Sequence, residues 1–303
     1  MKVLFLGSSQ FSYIVLKELI DSGVNIVGCI TRIDKPEGRG HKLMESKVKS
    51  YAKEIGLPCF ESKKLKDEMD MVKKIDYDIS LVASFGQILS SEFLNYRPSI
   101  NVHPSLLPKY RGPSPIQTAL LNGDKFTGVT IMKVAQKVDS GDILMQEKID
   151  LPQDLYYNEL EKLLGEKGAR LAKKVIDEME EGKVKAQPQD DDNATFTKKF
   201  TKADGELDLN DSALNIVNRL RALSENVGCY LTIGDEKVKI YKATALNDLE
   251  LEKGKVDTNK KHFIIGTGDG ALEILSLQSP SGKVISGRDY LNGHHEILGS
   301  RLL

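Results

Sequence analysis

Cysteine is scarce in this chain. The three present, Cys29, Cys59 and Cys229, are odd in number, far apart and set in apolar segments, with no CxxC pair. Neither a zinc knuckle nor a disulfide framework is indicated, and reduced structural thiols in a cytoplasm are the simplest reading. An excess of either charge is also missing: 43 Lys and Arg stand against 44 Asp and Glu, a formal net charge of −1. Bulk charge therefore predicts no polyanionic partner, and any nucleic-acid surface must be a local basic patch. No stretch of about 18 apolar residues occurs, and the opening run MKVLFLG is too short for a signal peptide's core region. A soluble, cytoplasmic protein is expected. A dinucleotide fingerprint is lacking too. The first apolar run leads into Gly7-Ser8-Ser9-Gln10, without GxGxxG. The later Gly266-Thr267-Gly268-Asp269-Gly270 lies between two predicted strands, where no helix N-terminus can receive a pyrophosphate. A nicotinamide cofactor is not expected.

What is present is length for two domains and a clear alternation of periods. Val3 to Gly7 reads as a buried strand, Phe11 to Leu19 as a helix stopped by Ser22-Gly23, and Asn25 to Thr31 as a second strand. A basic loop, a helix near Val48 to Ile55, and strands at Pro58–Glu61, Ile79–Phe85 and Ser99–Val102 follow. This rhythm implies a doubly wound α/β domain with a mostly parallel, Rossmann-like sheet. Two β runs, Gly128–Val134 and Ile143–Ile149, then flank a turn at Asp139-Ser140-Gly141-Asp142, and Leu155 to Met179 reads as a long amphipathic helix. Gln187 to Asn193, QPQDDDN, has no aromatic or β-branched residue and is a linker candidate. Beyond about Glu206, one helix precedes several strands with hairpin turns at Gly234-Asp235 and Gly268-Asp269-Gly270. The expected division is a catalytic domain over 1–187, a linker over 188–205 and a smaller β-rich, barrel-like domain over 206–303.

The densest polar segment on a strand-like background is INVHPSLLPKYRG, residues 100–112. Asn101 and His103 are two apart, so an extended chain points both the same way, at the carboxyl end of a strand where open α/β sheets place ligands. A strand end capped by polar residues would look the same on spacing alone. Asp139 lies in the turn K-V-D-S-G-D, where an aspartate usually bonds its own backbone. These residues propose a triad without proving it.

The segment INVHPSLLPKYRGPSPIQTALLNGD resembles the signature of folate-dependent formyltransferases, and GVTIMKVAQKVDSGDIL resembles the segment carrying that family's catalytic aspartate. TRIDKPEGRGHKLMESKV is similar to a basic loop typical of the branch that acts on methionyl-tRNA, and the C-terminal part, from FTKADGELDL through GTGDGALEILSLQ, looks like that branch as well. The resemblance covers nearly the whole chain. It departs in two places: many members carry a Trp-Pro pair after the first C-domain helix, where this chain reads Ser224-Glu225-Asn226-Val227-Gly228 and has no tryptophan, and Ser114 stands where the family often has a small apolar residue.

The resemblance implies formyl transfer from 10-formyltetrahydrofolate to an amine, that of initiator methionyl-tRNA, with no metal and no covalent enzyme intermediate. Asn101 and His103 would donate to the tetrahedral oxyanion, a type of contact worth on the order of 10²–10³ in rate. Asp139 would shuttle the proton from the attacking nitrogen to folate N10. Folate contacts are implied on Ser105, Leu106, Leu107 and Pro108, with Gln87, Ile88 and Leu89 and the loop before Asp139 nearby. Core packing is the alternative for Leu106 and Leu107. From Arg32 to Lys53 there are seven Lys or Arg against three acids, and Lys35, Arg39 and Lys42 would meet tRNA phosphates. Without the resemblance a solvated basic loop would be the better reading. Lys183, Lys185, Lys198, Lys199 and Lys202 could extend the track. A monomer is expected. Three other readings stay open: transfer to an amino sugar or other small amine, hydrolysis of formyltetrahydrofolate, and folate or RNA binding without catalysis.

Overall fold

The computed structural model describes residues 1–37 and 42–302. The chain divides into two compact units. The first comprises Met1–Pro115, Phe126–Asp150 and Glu161–Thr197; the second comprises Ile116–Lys125, Leu151–Leu160 and Lys198–Leu303.

The first unit is built on a seven-stranded sheet in the order β5-β2-β1-β6-β7-β8-β9. The strands are β1 (Val3–Leu6), β2 (Ile26–Arg32), β5 (Cys59–Ser62), β6 (Ile79–Val82), β7 (Ser99–His103), β8 (Phe126–Lys133) and β9 (Ile143–Asp150). The first five are parallel, and β8 and β9 complete the sheet antiparallel. A separate ribbon pairs β3 (Lys35–Glu37) with β4 (Lys42–Met44), so part of the expected basic loop is hairpin. Strand β6 stops at Val82, short of the expected Phe85, because Ser84 (φ +47°) and Gly86 (φ +71°) leave the extended region.

The apolar runs become strands because both faces of the sheet are covered: Val3, Leu4, Phe5 and Leu6 are fully buried. Helix α1 (Gln10–Asp21) starts at Ser9, whose hydroxyl accepts from the Ser12 amide, and buries Phe11, Val15, Leu16 and Leu19. Each such side chain contributes about 1.5–3 kcal/mol by leaving water. The Ser12 hydroxyl donates to Ala83 O at 2.5 Å, pinning α1 to the end of β6. Helices α2 (Lys47–Glu54), α3 (Met69–Val72) and α4 (Ser91–Tyr96) cover further strand connections, and α5 (Pro115–Leu121) follows β7. The long helix α6 (Tyr157–Glu180) crosses the sheet where Gly168 lies against Val102; a Cβ there would come within 2.6 Å of the valine methyl.

Cys29 and Cys59, far apart in sequence, are register partners on β2 and β5. The neighbouring Cys59 thiol, then burial, pushes the Cys29 thiol far up, while Cys29 in turn draws Cys59 below the usual thiol range.

The second unit holds the antiparallel strands β10 (Cys229–Ile233), β11 (Glu236–Leu246), β12 (Phe263–Gly266), β13 (Ala271–Gln278) and β14 (Ile285–Ser286), in the order β10-β11-β13-β12 with β14 on β13. Helix α7 (Ala213–Leu223) packs on β11, and α8 (Gly287–Gly293) lies against β13. Register shifts between Ile240 and Ala243 curl the sheet. Two earlier segments complete this unit. Arg221, fully buried, donates to Pro152 O and Leu155 O at 2.9 and 3.0 Å and to Asn218 Oδ1 at 2.9 Å. Residues 188–197, expected to open a linker, belong to the first unit.

Candidate active site

Strand β7 presents Asn101 and His103 on one face, as the two-residue alternation requires. Asn101 is half-buried, between Val82 on β6 and Met132 on β8, and its amide has no hydrogen-bond partner among the described residues. His103 is 4% exposed. Its Nε2 lies 2.9 Å from Tyr110 O. A carbonyl only accepts, so Nε2 carries a proton and Nδ1 is the nitrogen left for chemistry. Nδ1 lies 3.7 Å from Asp139 Oδ2. That is too long for a hydrogen bond but well within charge range.

This meeting is not local. Strand β8 ends with Lys133 opposite Ile100, yet the loop beyond it runs back along β7 so that Asp139 reaches His103. Asp139 sits at φ +48°, a left-handed conformation that costs a non-glycine residue about 1–3 kcal/mol and persists only when its surroundings fix it. They do. Its Oδ2 accepts the Gly112 amide at 2.8 Å, and its backbone oxygen accepts Gln189 Nε2 at 2.9 Å. Gln189 Nε2 also donates to Gly141 O at 2.7 Å, while its Oε1 accepts Arg111 Nε and Nη2 at 3.0 and 2.8 Å. Arg111 is buried and closes the chain on Asp191 at 2.6 Å.

The loop 108–114 is held by the segment 195–197. The amides of Tyr110 and Arg111 donate to Thr195 Oγ1 and Thr195 O, both at 2.8 Å, and the Thr197 amide donates to Arg111 O at 2.8 Å. Gly112 is a required glycine: its φ is +111°, and a Cβ would stand 2.8 Å from Thr197 Oγ1. Gln189, Arg111, Thr195 and Thr197 were not singled out from the sequence. The polar run around Gln189 has a linker's composition, and no local signal distinguishes it.

The residues expected around a folate divide into two groups. Thr130 Oγ1 donates to Ser105 O at 2.6 Å and accepts from the Leu107 amide at 3.1 Å, and Gln146 Nε2 donates to Leu107 O at 2.8 Å. Leu107 is buried, and Leu89 belongs to the apolar cluster around Leu4, Phe85 and Phe93. The Gln87 amide is occupied, accepting from the Leu65 amide at 2.9 Å and donating to Ser62 O at 3.0 Å. These groups shape the loops. Leu106 and Pro108 are half-buried, and Leu106 rests against Gly128. Ile88 is 84% exposed and Val138, beside Asp139, is 61% exposed. Gln136 ties their two loops together by donating to Ser91 Oγ at 2.5 Å.

Of the basic-loop residues, Arg39 lies outside the described residues, and Lys35 and Lys42 start the two ribbon strands. Lys49 and Lys53 are not free cations. Lys49 Nζ is 2.6 Å from Asp34 and 2.9 Å from Glu61, and Lys53 pairs with Glu45. Among the described residues no group of His, Cys, Asp and Glu is arranged to hold a metal ion, and no helix is long and apolar enough to cross a membrane.

Residues 1–196 match the formyl transferase family and residues 199–295 match its C-terminal domain. The chain is 39% identical to a methionyl-tRNA formyltransferase of Sulfurihydrogenibium sp., covering 99% of both chains. Among solved structures it is similar to HypX from Aquifex aeolicus in complex with tetrahydrofolic acid, with a TM-score of 0.70 at 15% identity. That match covers 98% of this chain but 48% of HypX, so the chain spans about half the length of that protein. It is also similar to an N-formyltransferase from Helicobacter canadensis in complex with folinic acid and dTDP-3-aminofucose, with a TM-score of 0.68 at 18% identity over 92% and 99% of the two chains.

Proposed function

We propose that this chain, which belongs to the formyl transferase family, moves the formyl group of 10-formyltetrahydrofolate onto the α-amino group of initiator methionyl-tRNA in the cytoplasm. The carrying observation is the meeting of His103 and Asp139, 3.7 Å apart, on a loop held in a strained conformation by Gln189 and Gly112. The full-length match to a methionyl-tRNA formyltransferase supports the acceptor.

In this reading the amine attacks the formyl carbon, and the new C–N bond puts negative charge on the former carbonyl oxygen. The unengaged Asn101 amide donates to that oxygen. His103 can donate only through Nδ1, because Nε2 is committed to Tyr110 O, so the donating form is the imidazolium. Asp139 accepts a proton from the attacking nitrogen and passes it to N10 as the C–N10 bond breaks. The α-amino group, with an ordinary pKa of about 8, is partly neutral near pH 7, so no strong base is required. Ile88 and Val138 offer aliphatic faces to a flat pterin, and Leu106 and Pro108 line the segment beside it. Ser105, Leu107, Gln87 and Leu89 set the backbone that reads the pterin edge. Lys35, Arg39 and Lys42 meet phosphates of the acceptor, and binding weakens steeply with salt.

The test is formylation of charged initiator tRNA with 10-formyltetrahydrofolate. Transfer is expected with the wild type. Asp139→Asn, which keeps an oxygen for the Gly112 amide but loses the charge, should lower kcat by roughly 10²-fold or more. Formate release without acceptor would reassign the chain as a hydrolase, and preference for an amino sugar would reassign the acceptor.

A further inference from the structure

We infer that Lys49 is a positioning residue that sets the stance of the β3–β4 ribbon on the catalytic unit and thereby the docking of the acceptor RNA. The inference rests on the acceptor reading above. The ribbon leaves the sheet through Asp34, just before β3, and returns through Glu45, just after β4. Lys49 Nζ lies 2.6 Å from Asp34 Oδ2, 2.9 Å from Glu61 Oε2 and 4.0 Å from Glu45 Oε1. One ammonium group therefore gathers both ends of the ribbon and ties them to β5, which carries Glu61. Glu61 Oε1 also accepts the Asp34 amide at 3.3 Å.

The lysine itself is fixed. It stands in the first turn of α2, where its amide donates to the capping Ser46 Oγ at 3.1 Å, and α2 is anchored by buried Val48 and Ala52. Its side chain is 13% exposed and that of Asp34 18%. Asp34 Oδ1 is buried with no hydrogen-bond partner among the described residues, so the Asp34 carboxylate relies on its other oxygen and on Lys49. Both carboxylates hold the lysine strongly in its charged form, Asp34 by the larger hydrogen-bond contribution.

Register shows why this matters for docking. Ile30, Leu6, Val82 and Asn101 lie on one line across β2, β1, β6 and β7. Arg32, the last residue of β2, is two residues beyond Ile30, as His103 is two beyond Asn101. The ribbon thus departs at the level of His103, three strand spacings or roughly 14 Å across the sheet. A cationic ribbon delivers an acceptor end to His103 only if its base is fixed, because a mobile base adds ordering cost to binding. Lys49 therefore serves RNA binding through Asp34 and Glu45 and not by touching phosphate.

The test compares the full-length wild type with Lys49→Met, Lys49→Arg and, should Lys49→Met fail to fold, Asp34→Asn. In Lys49→Met, amides of β3 and β4 should exchange hydrogen at least ~10-fold faster while those of β1, β6 and β7 keep wild-type rates. Kd for initiator methionyl-tRNA should rise about 10-fold, with kcat and the KM for 10-formyltetrahydrofolate within about twofold. Lys49→Arg should restore both readouts. Wild-type exchange and wild-type Kd in Lys49→Met overturn the proposal, as does a fall in kcat that tracks the loss of tRNA affinity. A wild type that binds no methionyl-tRNA removes the acceptor reading and, with it, the docking role of Lys49, even if ribbon exchange responds.

Discussion

Gln189→Leu tests whether Asp139 works only because its loop is held. The substitution removes two amide N–H donors, one to Asp139 O at 2.9 Å and one to Gly141 O at 2.7 Å, and the acceptor shared by two Arg111 nitrogens. A neutral hydrogen bond contributes about 0.5–1.5 kcal/mol net, so losing the two loop bonds removes roughly 1–3 kcal/mol from a conformation already strained at φ +48°. With each 1.36 kcal/mol worth a factor of ten, kcat should fall by roughly 5- to 150-fold if that energy holds the carboxylate in place. KM values should move by less than about threefold, since Gln189 touches neither proposed substrate site. Stability should drop as well, because among the described residues the Arg111 side chain then keeps Asp191 alone, and Tm should fall by about 2–4 °C per kcal/mol lost. Gln189→Glu sharpens the test: it keeps an acceptor for Arg111 but aims an oxygen at two carbonyls. Its kcat should fall at least as far as that of Gln189→Leu while its Tm falls less. The assay is steady-state formylation paired with thermal unfolding. A Gln189→Leu enzyme with lowered Tm and wild-type kcat would refute the claim that this amide positions Asp139.

Gly112→Ala should destabilise the protein by about 1–3 kcal/mol, because the backbone is left-handed and the new methyl meets Thr197, and it should lower kcat by disturbing the amide that holds Asp139; calorimetry and formylation rates check both. Thiol labelling of the native protein near pH 8 should modify Cys59 first, since it is half-buried where the other two are buried and the neighbouring Cys29 thiol holds it below the usual range. Cys229, which burial pushes up to about 12, and Cys29 should resist until unfolding. Peptide mass spectrometry against time reads the order, and early labelling of Cys229 would contradict its burial.

Local periodicity carried the first unit well. The strands β1, β2, β5 and β7 and the helices α1 and α6 fall within about two residues of where alternation and capping place them, because each is dictated by neighbours a few positions away. The same is true of Asn101 and His103, whose shared face follows from their spacing. The unit division was less legible. Segments 116–125 and 151–160 both belong to the second unit, the latter through buried Arg221 and its backbone acceptors, partners more than sixty positions distant.

The sequence by itself determined that an amide and an imidazole would stand together at the end of a buried strand, since a two-residue repeat has one geometric outcome. Tertiary structure decided which imidazole nitrogen is available, that Asp139 swings back to meet it, and that Gln189, 78 residues from Arg111, holds the arrangement. It also decided that Lys49 is spent within the ribbon's base. The physical reason is common to all four. They depend on hydrogen bonds and ion pairs closed in three dimensions between irregular segments, and such closures leave no periodic trace in the residues that make them.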